Sequence, residues 1–103
     1  MSRGPDAATL LVRALGRDAD RAGCPVEIVA TDWTRWASAT FSGARHMIRL
    51  NASASPQLDA WLTALPEAEI ALSGHLLASV AIESIQRSRD QVVIELEALT
   101  VEQ

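Results

Sequence analysis

Residues 91–101 have the sequence Gln-Val-Val-Ile-Glu-Leu-Glu-Ala-Leu-Thr-Val, in which apolar side chains alternate with charged ones in the middle. Successive residues of a strand point to opposite sides, so Val92 and Ile94 share one face, while Glu95 and Glu97 share the other. A strand with one apolar face and one charged face is typical of an antiparallel sheet that is covered on one side only. The segment therefore predicts a strand of such a sheet.

The stretch before this strand fits two structures. Leu76, Val80 and Ser84 repeat with a spacing of four, which a helix would place on one side. A strand would instead turn every second side chain inward, namely Leu76, Ala78, Val80, Ile82 and Ser84. The cluster Arg-Ser-Arg-Asp that follows is turn-like, and strands joined by such a short turn pair antiparallel. We therefore predict a strand here, with a bulge or bend at Gly74.

The first half of the chain begins with a helical pattern over Asp6–Ala22. Apolar side chains recur there at spacings of three and four, and an aspartate suits the positive end of the helix dipole. Gly23 and Pro25 then end the helix, because glycine accepts a left-handed conformation and proline cannot continue the helical hydrogen bonds.

A β-hairpin is predicted next. Its first strand begins at Val26 and continues through two tryptophans to Phe41, a stretch rich in β-branched and aromatic residues. We place the turn at Ser42–Ala44, because it contains a glycine. The second strand, Arg45–Asn51, alternates in the same way as the last strand of the chain. The side chains on one of its faces are those of His46, Ile48 and Leu50.

A second helix is predicted from Ser55, as its cap, and Pro56, as its first residue. The order is then helix, hairpin, helix, hairpin, or αββαββ. We predict an α+β fold, a two-layer sandwich in which two helices cover one face of a four-stranded antiparallel sheet. Residues 1–103 form a single domain in this interpretation, with two αββ units at about 6–52 and 55–101. The predicted core consists of Leu11, Leu15, Leu62, Ile82 and Ile94.

Length and composition exclude several classes of protein. The chain has 103 residues, of which 49% are hydrophobic and 21% are charged. It is therefore long enough for one buried core and too apolar for a disordered chain. Nine basic residues face thirteen acidic ones, which gives a net charge of −4. Because phosphate binding needs a basic surface, we do not expect nucleic acid as a partner.

The basic residues and the single cysteine predict where the protein resides. All nine basic residues are arginine, a usage that together with many alanines favours a bacterial source. The single cysteine, Cys24, cannot form a disulfide within the chain. No stretch is apolar over the length of a membrane span, and none has the pattern of a signal peptide. We therefore expect a cytoplasmic protein that has no membrane partner.

Two stretches resemble known sequences. Residues 36–46, Trp-Ala-Ser-Ala-Thr-Phe-Ser-Gly-Ala-Arg-His, and residues 97–102, Glu-Ala-Leu-Thr-Val-Glu, are similar to stretches in small uncharacterised bacterial α+β proteins. The resemblance implies no activity, since those proteins have no assigned function.

Motifs that bind cofactors or metals do not occur in the sequence. It has no dinucleotide-binding glycine motif, no phosphate-binding loop, no cysteine pair and no His-x-x-x-His. We therefore expect no metal and no cofactor, and the balance of motifs favours a protein that is not an enzyme.

Two histidines mark a candidate ligand site. His46 and His75 each follow a glycine closely, and the ends of two hairpins in one sheet could bring them together. We predict a ligand-binding site formed by Arg45, His46 and His75. The alternative is that each histidine is a partly buried, hydrogen-bonded strand residue. A catalytic histidine would also need an orienting carboxylate and a nucleophile, for which the sequence offers Asp32, Glu83 and Ser42.

The cluster Trp33, Arg35 and Trp36 is the second candidate site. On a regular strand the two tryptophans face opposite sides, so one of them stays exposed beside the arginine. Exposed tryptophan and arginine are typical anchors of protein interfaces, and we predict an interface of a homodimer here. The alternative places both tryptophans in the core or over the rim of the sheet.

Two functions follow as hypotheses. The first is a non-enzymatic binding or assembly module that acts through self-association. The second is a small ligand-binding protein or enzyme with its site near His46, Arg45 and His75. A cavity that encloses both histidines would favour the second hypothesis.

Overall fold

The computed structural model describes residues 6–103, so residues 1–5 of the predicted domain lie outside the described range. Within this range the chain forms two α-helices and five β-strands. The first half contains α1 (Ala7–Arg21), β1 (Val26–Ala37) and β2 (Ser42–Ser53). The second half contains α2 (Pro56–Ala64), a 3-10 turn (Leu65–Glu67), β3 (Ala71–Leu72), β4 (His75–Ser88) and β5 (Gln91–Glu102).

The strands form one antiparallel sheet in the order β1-β2-β5-β4-β3, curled into a half-barrel. The antiparallel pairing is as predicted, but the four-stranded sheet with two covering helices in an αββαββ order is wrong. An additional strand, β3, pairs with the start of β4, and strands make up 53% of the described residues. The backbone of α1 approaches both edge strands, β1 and β3, because the sheet curls around this helix.

Both helices begin with a side-chain cap, which was predicted for Ser55 but not for Asp6, a residue related only to the helix dipole. The Asp6 carboxylate accepts a hydrogen bond from the backbone N–H of Thr9 at 2.9 Å, and the Ser55 hydroxyl accepts one from Leu58 at 3.0 Å. These side chains satisfy N–H groups that have no partner within the helix. Gly23 follows α1 with a φ of 82°, a conformation that explains the predicted stop.

The turn of the first hairpin is four residues earlier than predicted. The Ser38 N–H donates to the Phe41 carbonyl at 2.7 Å, and the Phe41 N–H donates to the Ser38 hydroxyl at 3.1 Å. Gly43 lies within β2, where a side-chain Cβ would overlap with the Thr100 carbonyl oxygen of β5. This glycine therefore permits a close approach of two strands and does not form the turn.

Two bulges change which side chains of β4 face inward. The pairing with β5 shifts between Leu77 and Ser79, and again between Ile82 and Ser84. Each bulge inserts one residue and reverses the alternation beyond it. The strand predicted before the last turn is confirmed, but its predicted inward face is wrong at Leu76, Ala78 and Ser84.

The core lies between the helices and the central strands. Four of the predicted core residues, Leu11, Leu15, Leu62 and Ile94, are buried, and Ile82 is partly buried against them. The same core contains inward residues of β2 and β5, namely Ile48, Leu50, Ala52, Val92, Leu96 and Ala98. The alternation predicted for these two strands is confirmed.

Candidate functional site

A cavity of about 160 Å³ lies at one end of the sheet, beside the first turn of α1. The strand pairing assembles it, because Trp33 of β1 pairs with His46 of β2, and His75 of β4 pairs with Glu102 of β5. Both histidines therefore line one cavity, which we call the two-histidine cavity. Its lining residues are Asp6, Ala7, Ala8, Trp33, Arg35, Gly43, Ala44, His46, His75, Thr100 and Glu102.

His46 is held from one side only. The ring is 1% exposed, and its Nε2 lies 2.9 Å from the Thr100 hydroxyl oxygen. The Thr100 hydroxyl donates to the Ala44 carbonyl at 3.5 Å, which leaves its lone pairs to accept from Nε2–H. In this arrangement Nδ1 is the unprotonated nitrogen. Among residues 6–103 it has no hydrogen-bond partner.

The environment of His46 keeps the ring neutral. Burial lowers the pKa of His46 below its usual 6.5, because an imidazolium loses its hydration there. The Asp6 carboxylate partly raises this pKa, and His75 lowers it. The pKa of Asp6 is itself lowered, mainly by the hydrogen bonds from Thr9 and to a lesser extent by the two histidines. The cavity therefore holds a charged carboxylate near a neutral imidazole.

We expect this lowered pKa to make stability depend on pH. As the pH falls below 6.5, His46 would take up a proton in the unfolded chain but stay neutral in the folded chain. The free energy of unfolding is therefore highest above pH 6.5 and decreases as the pH falls below it. For one group the loss is at most about 1.4 kcal/mol per pH unit. Urea unfolding at pH 7.5 and 5.5 measures it. His46→Gln keeps a partner for Thr100 without titrating and should lose less stability between these values. An equal loss in both proteins would contradict a neutral His46.

His75 resembles His46 in one respect. Its Nδ1 is also buried and, within the described part of the chain, has no hydrogen-bond partner.

The third residue of the predicted ligand site, Arg45, does not line the cavity. It lies on the opposite face of β2, exposed, with its Nε 3.3 Å from a Glu97 carboxylate oxygen. The structure therefore brings together the two histidines but not Arg45, which precedes His46 in the sequence.

The predicted interface residues divide between the two faces of β1. Trp33 and Arg35 pair with the buried residues His46 and Ala44 and therefore lie on the cavity side, whereas Trp36 lies on the other side. The opposite orientation of the two tryptophans is as predicted. Trp33 is 49% exposed and Trp36 is partly buried, so Trp33 is the exposed tryptophan of the pair.

The charges around the cavity are unequal. Two carboxylates, those of Asp6 and Glu102, line it together with one guanidinium, that of Arg35. The Arg35 and Glu102 side chains approach to 3.8 Å, and both are largely solvated. These three charged side chains give the lining a formal charge of −1.

Three residues of this site were not predicted from the sequence, namely Asp6, Thr100 and Glu102. For Thr100 a signal existed, since it continues the inward phase of β5 and is fully buried. Asp6 was related only to the helix dipole, because nothing in the sequence shows which strands the start of α1 approaches.

The carboxylates considered for catalysis lie elsewhere. Asp32 and Glu83 line a shallow groove on the outer face of the sheet with Arg49 and Glu95. Arg49 and Glu95 form an ion pair of 2.6 Å there, and this pair lowers the pKa of Glu95. Within residues 6–103, no group of three or more His, Cys, Asp or Glu side chains is arranged to hold a metal ion.

Comparison with protein families, with curated proteins and with solved structures finds no match to this chain. The resemblance to small bacterial proteins therefore stays a prediction. None of the helices described between residues 6 and 103 combines the length and the apolar composition that a membrane crossing requires.

Proposed function

We propose that the protein is a non-enzymatic binding protein that holds a small ligand in the two-histidine cavity. The observation that carries this proposal is the pair of buried Nδ1 atoms, of His46 and His75, without partners among the described residues. A buried polar atom without a partner costs about 1–3 kcal/mol, so such atoms are usually paired. A ligand that bonds to both rings would remove this cost.

The geometry supports binding better than catalysis. The Thr100 hydroxyl, the nearest nucleophilic group to His46, is fully buried. A histidine base also needs a group that orients its second nitrogen, and within residues 6–103 no carboxylate bonds to Nδ1 of His46. The arrangement can accept a hydrogen bond from a ligand, but it does not assemble a nucleophile.

The charge of the lining favours a particular kind of ligand. Asp6 and Glu102 outweigh Arg35, and the exposed ring of Trp33 offers an apolar face that also attracts cations. With Nε2–H of His46 donating to Thr100, its Nδ1 is free to accept a hydrogen bond. We infer that a small organic ammonium ion fits this cavity better than a carboxylate of the same size.

Three four-carbon probes test this proposal: n-butylammonium, n-butanol and butyrate. We expect butylammonium to shift the ring nitrogen signals of His46 and His75 in NMR titrations at lower concentration than the other two. The methyl signal of Met47, on the outer face of β2, serves as the control that should not move. Tighter binding of butyrate would overturn the charge argument. No shift with any of the three probes would overturn the cavity as a binding site.

Self-association is a second candidate function, favoured by the open edge of β1. In the order β1-β2-β5-β4-β3 this twelve-residue strand has a neighbour on one side only. Unpaired strand edges bind further strands, and a closed twofold dimer is the commonest result. Sedimentation tests it: we expect twice the chain mass of 11.1 kDa at micromolar concentration, and a mass near 11.1 kDa throughout would contradict it.

The compartment also stays a proposal. The thiol of Cys24 is buried and free, and a free thiol persists in a reducing compartment such as the bacterial cytoplasm.

A further inference from the structure

The outer edge of β1 is regular over most of its length. The single shift in its pairing with β2 lies between Ile28 and Ala30, and from Ala30 to Ala37 every residue pairs in register. This stretch contains no proline, so alternate N–H and C=O groups along it can bond to a further strand. One N–H, that of Trp33, already donates to the Asp32 carboxylate at 2.9 Å, so a pairing strand has to replace this hydrogen bond.

The other edge of the sheet is less suited to pairing. There, β3 covers the start of β4, and bulges interrupt β4 at Ala78 and Glu83. Bulges twist a strand edge and discourage the addition of another strand. Of the two edges, β1 is therefore the one that a second copy fits.

We propose that two copies of the chain pair β1 with β1, antiparallel, about a twofold axis at Thr34. The proposal rests on the self-association proposed above and specifies its surface and register. The two sheets then become one continuous sheet, with the two-histidine cavities on the same face on either side of the axis.

The side chains of β1 select this register. Residues that lie opposite each other in paired strands point to the same face of the sheet. The twofold axis must therefore lie between a residue and its own copy in the partner. With the axis at Thr34, Trp33 lies opposite the partner's Arg35, and the reverse contact forms by symmetry. A guanidinium over a tryptophan ring is a favourable cation–π contact. An axis at Asp32 would instead place two carboxylates opposite each other.

The dimer changes the rim of the cavity. Trp33 and Arg35 both line the cavity, and the Arg35 side chain is 70% exposed and only 3.8 Å from Glu102 at its closest. In the dimer Arg35 covers the partner's Trp33, while the partner's Arg35 covers Trp33. Each cavity has one Arg35 beside it before and after pairing, so its charge is unchanged. The exposed face of Trp33, however, is covered in the dimer.

Single-cysteine variants test the register. A residue on the axis faces its own copy at the Cα separation that a disulfide requires, so Thr34→Cys should form a covalent dimer under mild oxidation. Thr31→Cys, away from the axis, and Ser79→Cys, on the other edge, should not. The native Cys24 is buried and can stay in place.

The outcomes separate the register from self-association itself. Covalent dimers of Thr34→Cys alone, with a dimer mass for the unmodified chain, support the proposal. A dimer mass with cross-linking at Thr31→Cys or Ser79→Cys overturns this surface or register and leaves self-association intact. A monomer mass with no cross-linking overturns both.

A second measurement tests the contact between Trp33 and Arg35. Arg35→Ala removes two symmetric contacts and should raise the dimer dissociation constant by roughly tenfold. The matched control is Arg87→Ala, another exposed arginine, which pairs with Asp59 on the side of the sheet away from β1. An equal effect of both substitutions would overturn the assigned contact.

Discussion

Replacing Ile94 with alanine is expected to lower the free energy of unfolding by about 2–5 kcal/mol, a large part of the stability of a domain this size. Ile94 is fully buried on the central strand β5 and pairs with Leu50 of β2, also fully buried. The substitution removes three methyl or methylene groups and leaves a cavity on the inward face of the sheet, in the core that the helices cover. Urea unfolding at neutral pH measures the loss.

The same sheet provides a matched control. Ile85 pairs directly with Ile94 from β4 but is 41% exposed. Ile85→Ala removes the same atoms from a half-solvated site, so it should cost well under half as much. If the two substitutions cost the same, the assignment of the inward face of β5 as the centre of the core would be wrong.

Replacing Gly43 with alanine should destabilise the protein by about 3 kcal/mol or more, because the added methyl group meets backbone and not a flexible side chain. The new Cβ would lie 2.8 Å from the carbonyl carbon of Thr100, and it would overlap with the oxygen. The strands β2 and β5 would have to separate at the cavity. We therefore also expect the hydrogen bond between Thr100 and His46 to be lost, which NMR of the His46 ring would report.

Gly16 serves as the control for this substitution. It lies within α1, and a Cβ at this position meets nothing within 4 Å. Gly16→Ala should therefore stabilise the protein by about 0.5–1 kcal/mol, since alanine is the better helix former. Destabilisation by both alanines, or by neither, would contradict the close approach at Gly43.

The sequence pattern was sufficient to predict the helices and strands that have a regular periodicity. The alternation in β2 and β5 identified their inward faces, and Asp6, Ser55 and Gly23 marked helix ends through chemistry that acts within a few residues. In β4 the same reasoning failed at Leu76, Ala78 and Ser84, because a bulge is a response to the neighbouring strand and leaves no fixed mark in the sequence. The turn placed at Gly43 failed for a related reason: the glycine is required by β5, which is distant in sequence.

In the candidate site, too, some features were predictable from the sequence and others were not. The sequence by itself determined that His46 lies on the inward face of a strand, that Trp33 and Trp36 face opposite sides, and that no familiar cofactor motif is present. Only the tertiary structure decided that His46 meets Thr100, 54 residues away, and shares a cavity with His75 and Asp6. The physical reason is that periodicity records which side of a strand is buried, whereas the curl of the sheet around α1 decides which buried residues meet.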